Sequence, residues 1–190
     1  MSGFLRQLLV AVRMLIVMTV LLGLIYPVAV FAAGRFMPGR ADGSWVSDGQ
    51  SVVGSKLIGQ EFTGEQWFQP RPSAAGQGYD ALSSGGSNLG PNNPELVEKV
   101  AERKAEAAAA NGVPASQVPP DAVTASGSGL DPDISPQFAE LQVARVAQAR
   151  SLDPARVTDL VESQTQGRLF GFIGEPRVNV LELNLALQRL

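Results

Sequence analysis

Hydrophobic residues are most concentrated near the start of the 190-residue chain, where Met14 to Ala33 form an apolar run with no charged residue. Arg13 and Arg35 bound this run on its two sides. A helix rises 1.5 Å per residue, so a run of this length covers the roughly 30 Å hydrocarbon core of a bilayer. The pattern predicts a short tail over 1–13, a transmembrane helix over 14–33 and a juxtamembrane linker over 34–50.

A cleaved signal peptide is the competing interpretation of this run, because Val30-Phe31-Ala32 resembles a cleavage pattern. The apolar core of a signal peptide usually has about 7–15 residues, so the greater length here favours a retained anchor. The numbers of Lys and Arg residues on the two sides of the run are nearly equal, so the positive-inside rule gives only a weak preference for one membrane orientation. Since a short basic tail usually stays in the cytoplasm, we expect the N-terminus inside and the domain over 51–190 outside.

Beyond the linker, the pattern predicts one mixed α/β (α+β) domain with a small sheet and about four helices. Short runs of β-forming residues mark the sheet. The strand candidates are Ser51–Ile58 with an extended continuation over Glu61–Phe68, Ala122–Ser126 and Phe170–Ile173. The segment Gln69–Asn93 is dominated by Pro, Gly, Ser and Asn, which predicts a long loop.

Three of the four predicted helices share one start signal, a capping residue followed directly by proline. The side-chain oxygen of Asn93, Ser135 or Asp153 can accept from free backbone N–H groups, and proline suits the first helical position. The predicted helices are Pro94–Asn111, Pro136–Arg150, Pro154–Gln166 and one that begins near Asn179.

Composition excludes most catalytic chemistry, because the chain has neither histidine nor cysteine. Catalytic triads with histidine, thiol nucleophiles, disulfides and His or Cys metal sites are therefore absent. A net charge of −3 gives no electrostatic footprint for nucleic acid. One membrane span cannot enclose an ion path, and no potassium filter or phosphorylation motif is present. Any transport or catalysis nearby therefore belongs to another chain.

The serine- and glycine-rich segment 83–88 is the first candidate for ligand binding. Glycines allow backbone N–H groups to approach a ligand, and serine hydroxyls can bind phosphate oxygens. The alternative is a flexible loop whose glycines serve its backbone conformation. The candidate residues for nucleotide or partner contact are Ser83, Ser84, Gly85, Gly86, Ser87 and Asn88.

Other polar positions carry weaker signals. Gly127-Ser128-Gly129 lacks a nucleotide-binding pattern and predicts a tight turn. Asp131 and Asp133 lack EF-hand spacing, so we expect no metal site there. Arg71 and Arg177 each adjoin proline, and the sequence leaves open whether they clamp a ligand or form structural ion pairs.

Four blocks of sequence together point to a family. They are Gly54–Gln60, then Arg71–Ala74 with Tyr79 and Ser84–Gly90, then Val123–Pro136 (VTASGSGLDPDISP), then Pro176–Leu185. In this order they resemble the C-subunit (KdpC) family of the bacterial Kdp potassium-transporting ATPase, over nearly the whole chain. The sequence departs from the family at Asp133, where the family commonly has histidine, so no role that requires an imidazole is expected there.

The resemblance implies structural or interface roles for residues of these blocks. They are Arg71, Pro72, Ser73, Ser126, Gly127, Ser128, Gly129, Leu130, Asp131, Pro132, Arg177 and Asn179. It also implies a non-catalytic accessory subunit of a potassium uptake pump in the bacterial inner (plasma) membrane. The expected partners are a catalytic P-type ATPase subunit, a potassium-channel-like subunit and the lipid bilayer.

In this family the C subunit is described as an assembly factor and as a catalytic chaperone that raises the ATP affinity of the pump. The family's nucleotide proposal points to Ser83–Ser87. A domain outside the cytoplasm would not meet ATP, so we expect ATP and potassium to act through the complex, with no cofactor on this chain. The alternative function is a membrane-anchored module that binds a small ligand, either a nucleotide or a cation.

Overall fold

The computed structural model describes residues 3–190 and divides the chain into two units, with the boundary between Ser44 and Trp45. The first unit contains a continuous helix over Gly3–Gly34, the one helix among the described residues that is long and apolar enough to cross a membrane. This helix contains the predicted span and also residues 3–13 of the predicted tail; residues 1 and 2 of that tail lie outside the described residues.

The long helix changes its hydrogen-bond pattern in front of a proline. It consists of α1 (Gly3–Val20), a π-helical turn (Leu21–Ile25) and α2 (Tyr26–Gly34). Pro27 lacks an N–H group, and its ring would collide with the carbonyl four residues before it in a regular α-helix. The backbone N–H of Tyr26 instead donates to Leu21 O, five residues back. The wider turn therefore lets the helix pass the proline without a break.

The second unit, Trp45–Leu190, has the predicted α+β class. Its helices are α3 (Pro94–Asn111), α4 (Pro136–Arg150), α5 (Pro154–Gln164) and α6 (Val180–Leu187). The three predicted caps are confirmed, because the side chains of Asn93, Ser135 and Asp153 each accept from a backbone N–H in the first helical turn, and Asn179 caps α6 in the same way. Helix α5 ends two residues before its predicted end, because Thr165 and Gln166 join a sheet.

The strands form two small antiparallel sheets. The first is a hairpin of β1 (Trp45–Asp48) and β2 (Ser51–Ser55), with an irregular register between Val46 and Ser47. In the second sheet, β3 (Asp133–Ile134) and β4 (Thr165–Gln166) flank β5 (Arg177–Asn179), which pairs with both.

Several predicted strands were wrong. Strand β2 ends at Ser55, and Glu61–Phe68 contains no strand. Ala122–Ser126 is not a strand, because a 3-10 turn over Pro120–Ala122 begins at the second of two successive prolines, which fix φ and donate no hydrogen bond. The stretch Phe170–Ile173 is a turn closed by a single bridge between Leu169 and Ile173.

The hydrophobic core lies among α4, α5, α6 and the central strand β5. Its most buried large members are Phe68, Ile134, Phe138, Val146, Val157, Val178, Val180, Leu183 and Leu187. Phe68 is the one member of this set from the long irregular segment between β2 and α3, and it is completely buried. The backbone around Phe68 must therefore leave water without help from a neighbouring strand.

Two buried side-chain amides form the hydrogen bonds that a neighbouring strand would otherwise provide. Asn184 of α6 accepts from the N–H of Phe68 and donates to its carbonyl, both at 2.9 Å. Gln142 of α4 accepts from the N–H of Gln69 at 2.7 Å and donates to its carbonyl at 3.1 Å. Each amide thus satisfies both backbone groups of one residue, as a paired strand would.

Two arginines of α4 hold the chain just before this point. Arg145 donates to Glu65 O at 2.6 Å and to Trp67 O at 3.0 Å. Arg150 donates to Gln66 O at 2.8 Å, and its guanidinium lies 4.4 Å from the centre of the Trp67 ring. Residues 65–69 are therefore fixed along α4 by side chains rather than by a sheet.

Replacing Asn184 by leucine should destabilise the second unit strongly. The variant Asn184→Leu preserves side-chain size but leaves the buried N–H and carbonyl of Phe68 without partners, at a cost of about 2–4 kcal/mol. Gln188→Leu, on the exposed end of α6, is the matched control and should change stability by less than about 0.5 kcal/mol. Urea unfolding of the full chain in detergent, followed by tryptophan fluorescence, measures both. Equal losses in the two variants would contradict the structural role of Asn184.

Candidate functional site

Most of the candidate residues converge on one surface region of the second unit, although they lie far apart in the sequence; Ser83, Ser87, Asn88, Arg177 and Asn179 lie outside it. We name the region the loop cluster and define it as residues 71–79, 84–86 and 124–133. The three segments contain no regular strand apart from the start of β3. Side-chain and backbone hydrogen bonds between the loops therefore hold the cluster together.

Ser73 is the hydroxyl at the centre of the cluster. Its Oγ donates to Gly129 O at 2.7 Å and accepts from the N–H groups of Tyr79 at 2.8 Å and Ala75 at 3.2 Å. One small side chain thus closes the 73–79 turn and ties it to the segment that contains Gly129. The hydroxyl is fully used inside the protein.

Tyr79 supports the same turn from its other end. Its hydroxyl donates to the carbonyl of Arg71. Burial raises the pKa of Tyr79 to about 12; the charge of Glu61 adds to the shift and that of Arg103 opposes it. Tyr79 is therefore a neutral hydrogen-bond donor at physiological pH and is not a candidate base.

Gly129 is required where the loops touch. Its φ is +67°, a conformation that side chains rarely adopt. A Cβ atom at Gly129 would lie 2.5 Å from Gly85 O and 2.6 Å from Ala75 N. Glycine has no side chain and adopts positive φ without strain, so the backbone at Gly129 can lie directly against the backbones of Gly85 and Ala75.

The serine- and glycine-rich loop uses its donors on this same contact. The N–H of Gly85 donates to Ser128 O at 2.8 Å, and Ser84 Oγ donates to the same carbonyl at 3.0 Å. Ser83, Ser87 and Asn88 are exposed. A phosphate-binding loop needs free N–H groups directed at the ligand, whereas the central N–H here is bound to the protein.

Arg71 forms an ion pair at the edge of the cluster. Its Nη1 lies 2.9 Å from Asp131 Oδ2, and its Nη2 donates to Thr124 O at 3.4 Å. Asp131 also accepts from the N–H of Asp133 through Oδ1 at 3.0 Å. Of the two roles that the sequence leaves open for Arg71, the geometry favours the structural ion pair.

A second ion pair lies next to the first and involves Arg177. Its Nε is 2.9 Å from Asp133 Oδ2, across the β3–β5 pairing. Asn179 donates to Asp133 Oδ1 at 3.2 Å and to Lys56 O at 2.9 Å. Burial raises the pKa of Asp133, and Arg177 and Asn179 oppose that rise. Asp133 thus has its own cationic partner.

The remaining predicted residues link the cluster to the core. Leu130 is buried, and its carbonyl accepts from Gly59 N–H at 2.8 Å. Pro132 O accepts from Val180 N–H at the start of α6 at 3.0 Å. Ser126 and Ser128 place their hydroxyls 3.3 Å apart, and Gly127 O faces Gly86. Pro72 lines a cleft beside α3 and α4.

Sequence reasoning missed Gln142 and Asn184, which fix Phe68 and Gln69 just before the loop cluster. Each lies on a helix face that is otherwise apolar and contributes a completely buried or nearly buried amide. An amide residue on an apolar helix face was the signal in the sequence that could have identified them, because a buried amide needs a partner for each of its polar atoms. The carboxylate of Asp121 accepts from the N–H and the hydroxyl of Ser135, the N-cap residue of α4.

Replacing Gly129 by alanine should open the loop cluster. The variant Gly129→Ala places a methyl group against two backbone atoms at positive φ, which should cost at least about 2 kcal/mol. Gly127→Ala is the matched control, because a Cβ there meets nothing within 4 Å. Thermal unfolding and limited proteolysis of the 75–93 segment measure the effect. Equal protease resistance in the two variants would contradict the close contact.

The pH dependence of stability should report on Asp133. Its pKa is raised above 3.8, so the folded state holds this proton more tightly, and the resulting stability is lost as the pH rises through the folded pKa. Asp133→Asn cannot ionise and keeps an oxygen acceptor for Asn179. The free energy of unfolding of the variant, relative to the parent chain, should therefore rise as the pH is raised from below 3.8. A difference that falls over this pH range would refute the assignment.

Comparison with known proteins gives a consistent result. The family model described as "KdpC: K+-transporting ATPase, c chain" matches residues 8–189. A Kineococcus radiotolerans protein named potassium-transporting ATPase KdpC subunit is 60% identical over 188 residues, covering 99% of this chain and 96% of that protein. Proteins of the same name from Beijerinckia indica and Mycobacterium tuberculosis are 53% and 52% identical, over 91% and 97% of this chain and 88% and 99% of their own lengths.

Proposed function

Because the chain belongs to the KdpC family, the c chains of the K+-transporting ATPase, we propose that it is the non-catalytic subunit that stabilises the assembled pump and raises its affinity for ATP. Its immediate partners are the catalytic P-type subunit and a potassium-channel-like subunit. The apolar helix anchors it in the bacterial plasma membrane, with the N-terminus in the cytoplasm and the second unit outside. This role is supported above all by Ser73, Tyr79, Arg71 and Asp131, whose side chains bind other parts of the loop cluster, although Arg71 Nε has no partner.

A binding role fits this chemistry better than a catalytic one. Ser73, Tyr79 and Arg71 each have partners within the protein, at hydrogen-bond or ion-pair distances. Lys56, the one lysine outside α3, lies 4.0 Å from a carboxylate oxygen of Glu182. Among residues 3–190, no three acidic side chains converge to hold a metal ion. These arrangements make a rigid surface and supply no free nucleophile or base.

An effect on ATP affinity does not require contact with ATP. If the chain binds the ATP-competent state of the pump more tightly than the empty state, linkage requires that ATP binds more tightly when the chain is present. A tenfold change in affinity corresponds to about 1.4 kcal/mol of coupling, within the usual range for such effects. Tighter contact of a rigid domain with the ATP-competent state is therefore sufficient to raise the ATP affinity of the pump.

The membrane helix offers a packing surface for other membrane chains. Gly23 lies in the π-helical turn, and a Cβ there would meet only Thr19 Cγ2, at 3.9 Å. Small residues let neighbouring helices approach closely in a bilayer, and a neighbour can cover the backbone groups that Pro27 leaves free. This supports assembly through the span as well as through the second unit.

Co-purification and kinetics should test the proposal together. The full chain with a tag after Leu190, extracted in mild detergent, should bring the other ATPase subunits with it. Omitting the chain should raise the ATP concentration needed for half-maximal hydrolysis by about tenfold, given typical coupling energies. Calorimetric titration of the isolated full chain with ATP should release no binding heat.

Two results would refute parts of this function. If the tagged chain emerges without other ATPase subunits, it is not a component of the pump. If the isolated chain binds ATP, with Gly85 N–H released from Ser128 O, the alternative of a small-ligand-binding module is correct and the indirect mechanism is wrong.

A further inference from the structure

The turn between β4 and β5 exposes an unusual cluster of large apolar side chains. Phe170 is 80% exposed, Phe172 74% and Leu169 61%, and Ile173 completes the set at 49%. We name Leu169–Ile173 the apolar turn. We propose that it is a docking element that inserts into an apolar pocket of another subunit of the same ATPase. This inference rests on the proposed function and adds the surface by which the second unit recognises its partner.

The apolar turn is built to keep its shape. Leu169 and Ile173 pair with each other through N–H to carbonyl bonds of 2.9 and 3.0 Å. At its base, Arg168 and Glu175 form an ion pair of 2.6 Å. The turn also projects from β5, the central strand of its sheet, where Val178 is completely buried. A preorganised element loses little conformational entropy when it binds.

The backbone of the turn is strained in a way that displays its aromatic rings. Phe170 has a φ of +53°, and Gly171 follows at +81°. A bulky residue at positive φ costs on the order of 1 kcal/mol or more, and such strain persists where the surroundings maintain it. The conformation leaves both phenylalanine rings in solvent instead of folding them onto the core. Burial of the two rings by a partner would be favourable and would offset the free energy of this backbone strain.

A protein pocket suits the turn better than an anionic bilayer surface. The unit Trp45–Leu190 has 17 acidic and 11 basic side chains, a net charge of −6, which anionic lipids repel. The nearest cations are neutralised, since Arg168 pairs with Glu175 and Arg177 with Asp133. Rigid aromatic side chains are, in contrast, the usual anchors of protein–protein interfaces.

The surroundings of the turn also resemble the rim of an interface. Glu175, Pro176 and Arg177 follow the turn and line a cleft that also contains Arg71 and Asp131 of the loop cluster. A polar rim beside a compact apolar centre is the normal anatomy of a specific protein interface. The loop cluster and the apolar turn thus form adjacent parts of one surface.

Site-specific fluorescence can show what covers the turn. The sequence has no cysteine, so Phe172→Cys gives the full chain a single labelling site for bimane. The labelled chain is placed in nanodiscs containing anionic lipid, first alone and then as the complete ATPase. Val97→Cys on α3, whose native side chain is 59% exposed, is the matched control. We expect the emission at 172 to shift to the blue only in the complete complex, and the emission at 97 not to shift.

Two fluorescence outcomes would overturn the inference. A blue shift at 172 in nanodiscs without the other subunits means that lipid, not protein, covers the turn. No shift in either preparation means that nothing covers it. If the labelled chain still co-purifies with the ATPase in these cases, the proposed function stands and only the docking role of the turn fails.

Paired substitutions measure the strength of the contact. Phe170→Ser with Phe172→Ser should lower retention of the other subunits at least tenfold, whereas Val97→Ser should leave it unchanged. Both side chains are exposed, so the thermal unfolding midpoint of the isolated double variant should match that of the parent chain. Unchanged retention in the double variant would overturn the proposal.

Discussion

The structure depends on satisfying the backbone of a long irregular segment without a sheet. Between β2 and α3 the chain has no regular secondary structure, yet Phe68 lies at the centre of the core. Buried backbone N–H and carbonyl groups cost free energy unless they are paired. Gln142 and Asn184 provide those pairs from two helices, and this arrangement allows an otherwise irregular segment to enter the core.

Side chains also bind backbone groups in the loop cluster, in place of a sheet. Ser73 takes the place of a backbone partner for two N–H groups and one carbonyl, while Gly129 removes the side chain that would hold the loops apart. The ion pairs Arg71–Asp131 and Arg177–Asp133 then join the cluster to β3 and β5. Loops arranged in this way can present a fixed surface to another molecule.

Local signals made the helices predictable. An N-cap residue followed by proline marks α3, α4 and α5, since both effects act within one helical turn. The small sheet could not be predicted in the same way, because strands of two or three residues exist only through pairing with distant segments. Asp133 and Thr165 become strand residues only through their pairing with β5. The family blocks identified most candidate residues, but their mutual contacts depend on long-range closure that no local pattern encodes.

The groups that remain unsatisfied indicate where the molecule meets its partners. At the centre of the loop cluster, the hydroxyls of Ser73 and Tyr79, the carboxylate of Asp131 and two of the three Arg71 nitrogens are bound within the protein, whereas Arg71 Nε has no partner. Two large exposed features are apolar: the helix over Gly3–Gly34 and the turn Leu169–Ile173. Exposure of both apolar surfaces to water is unfavourable, and their burial in lipid or protein would lower the free energy roughly in proportion to the area buried. The exposed apolar surface is therefore suited to binding other molecules.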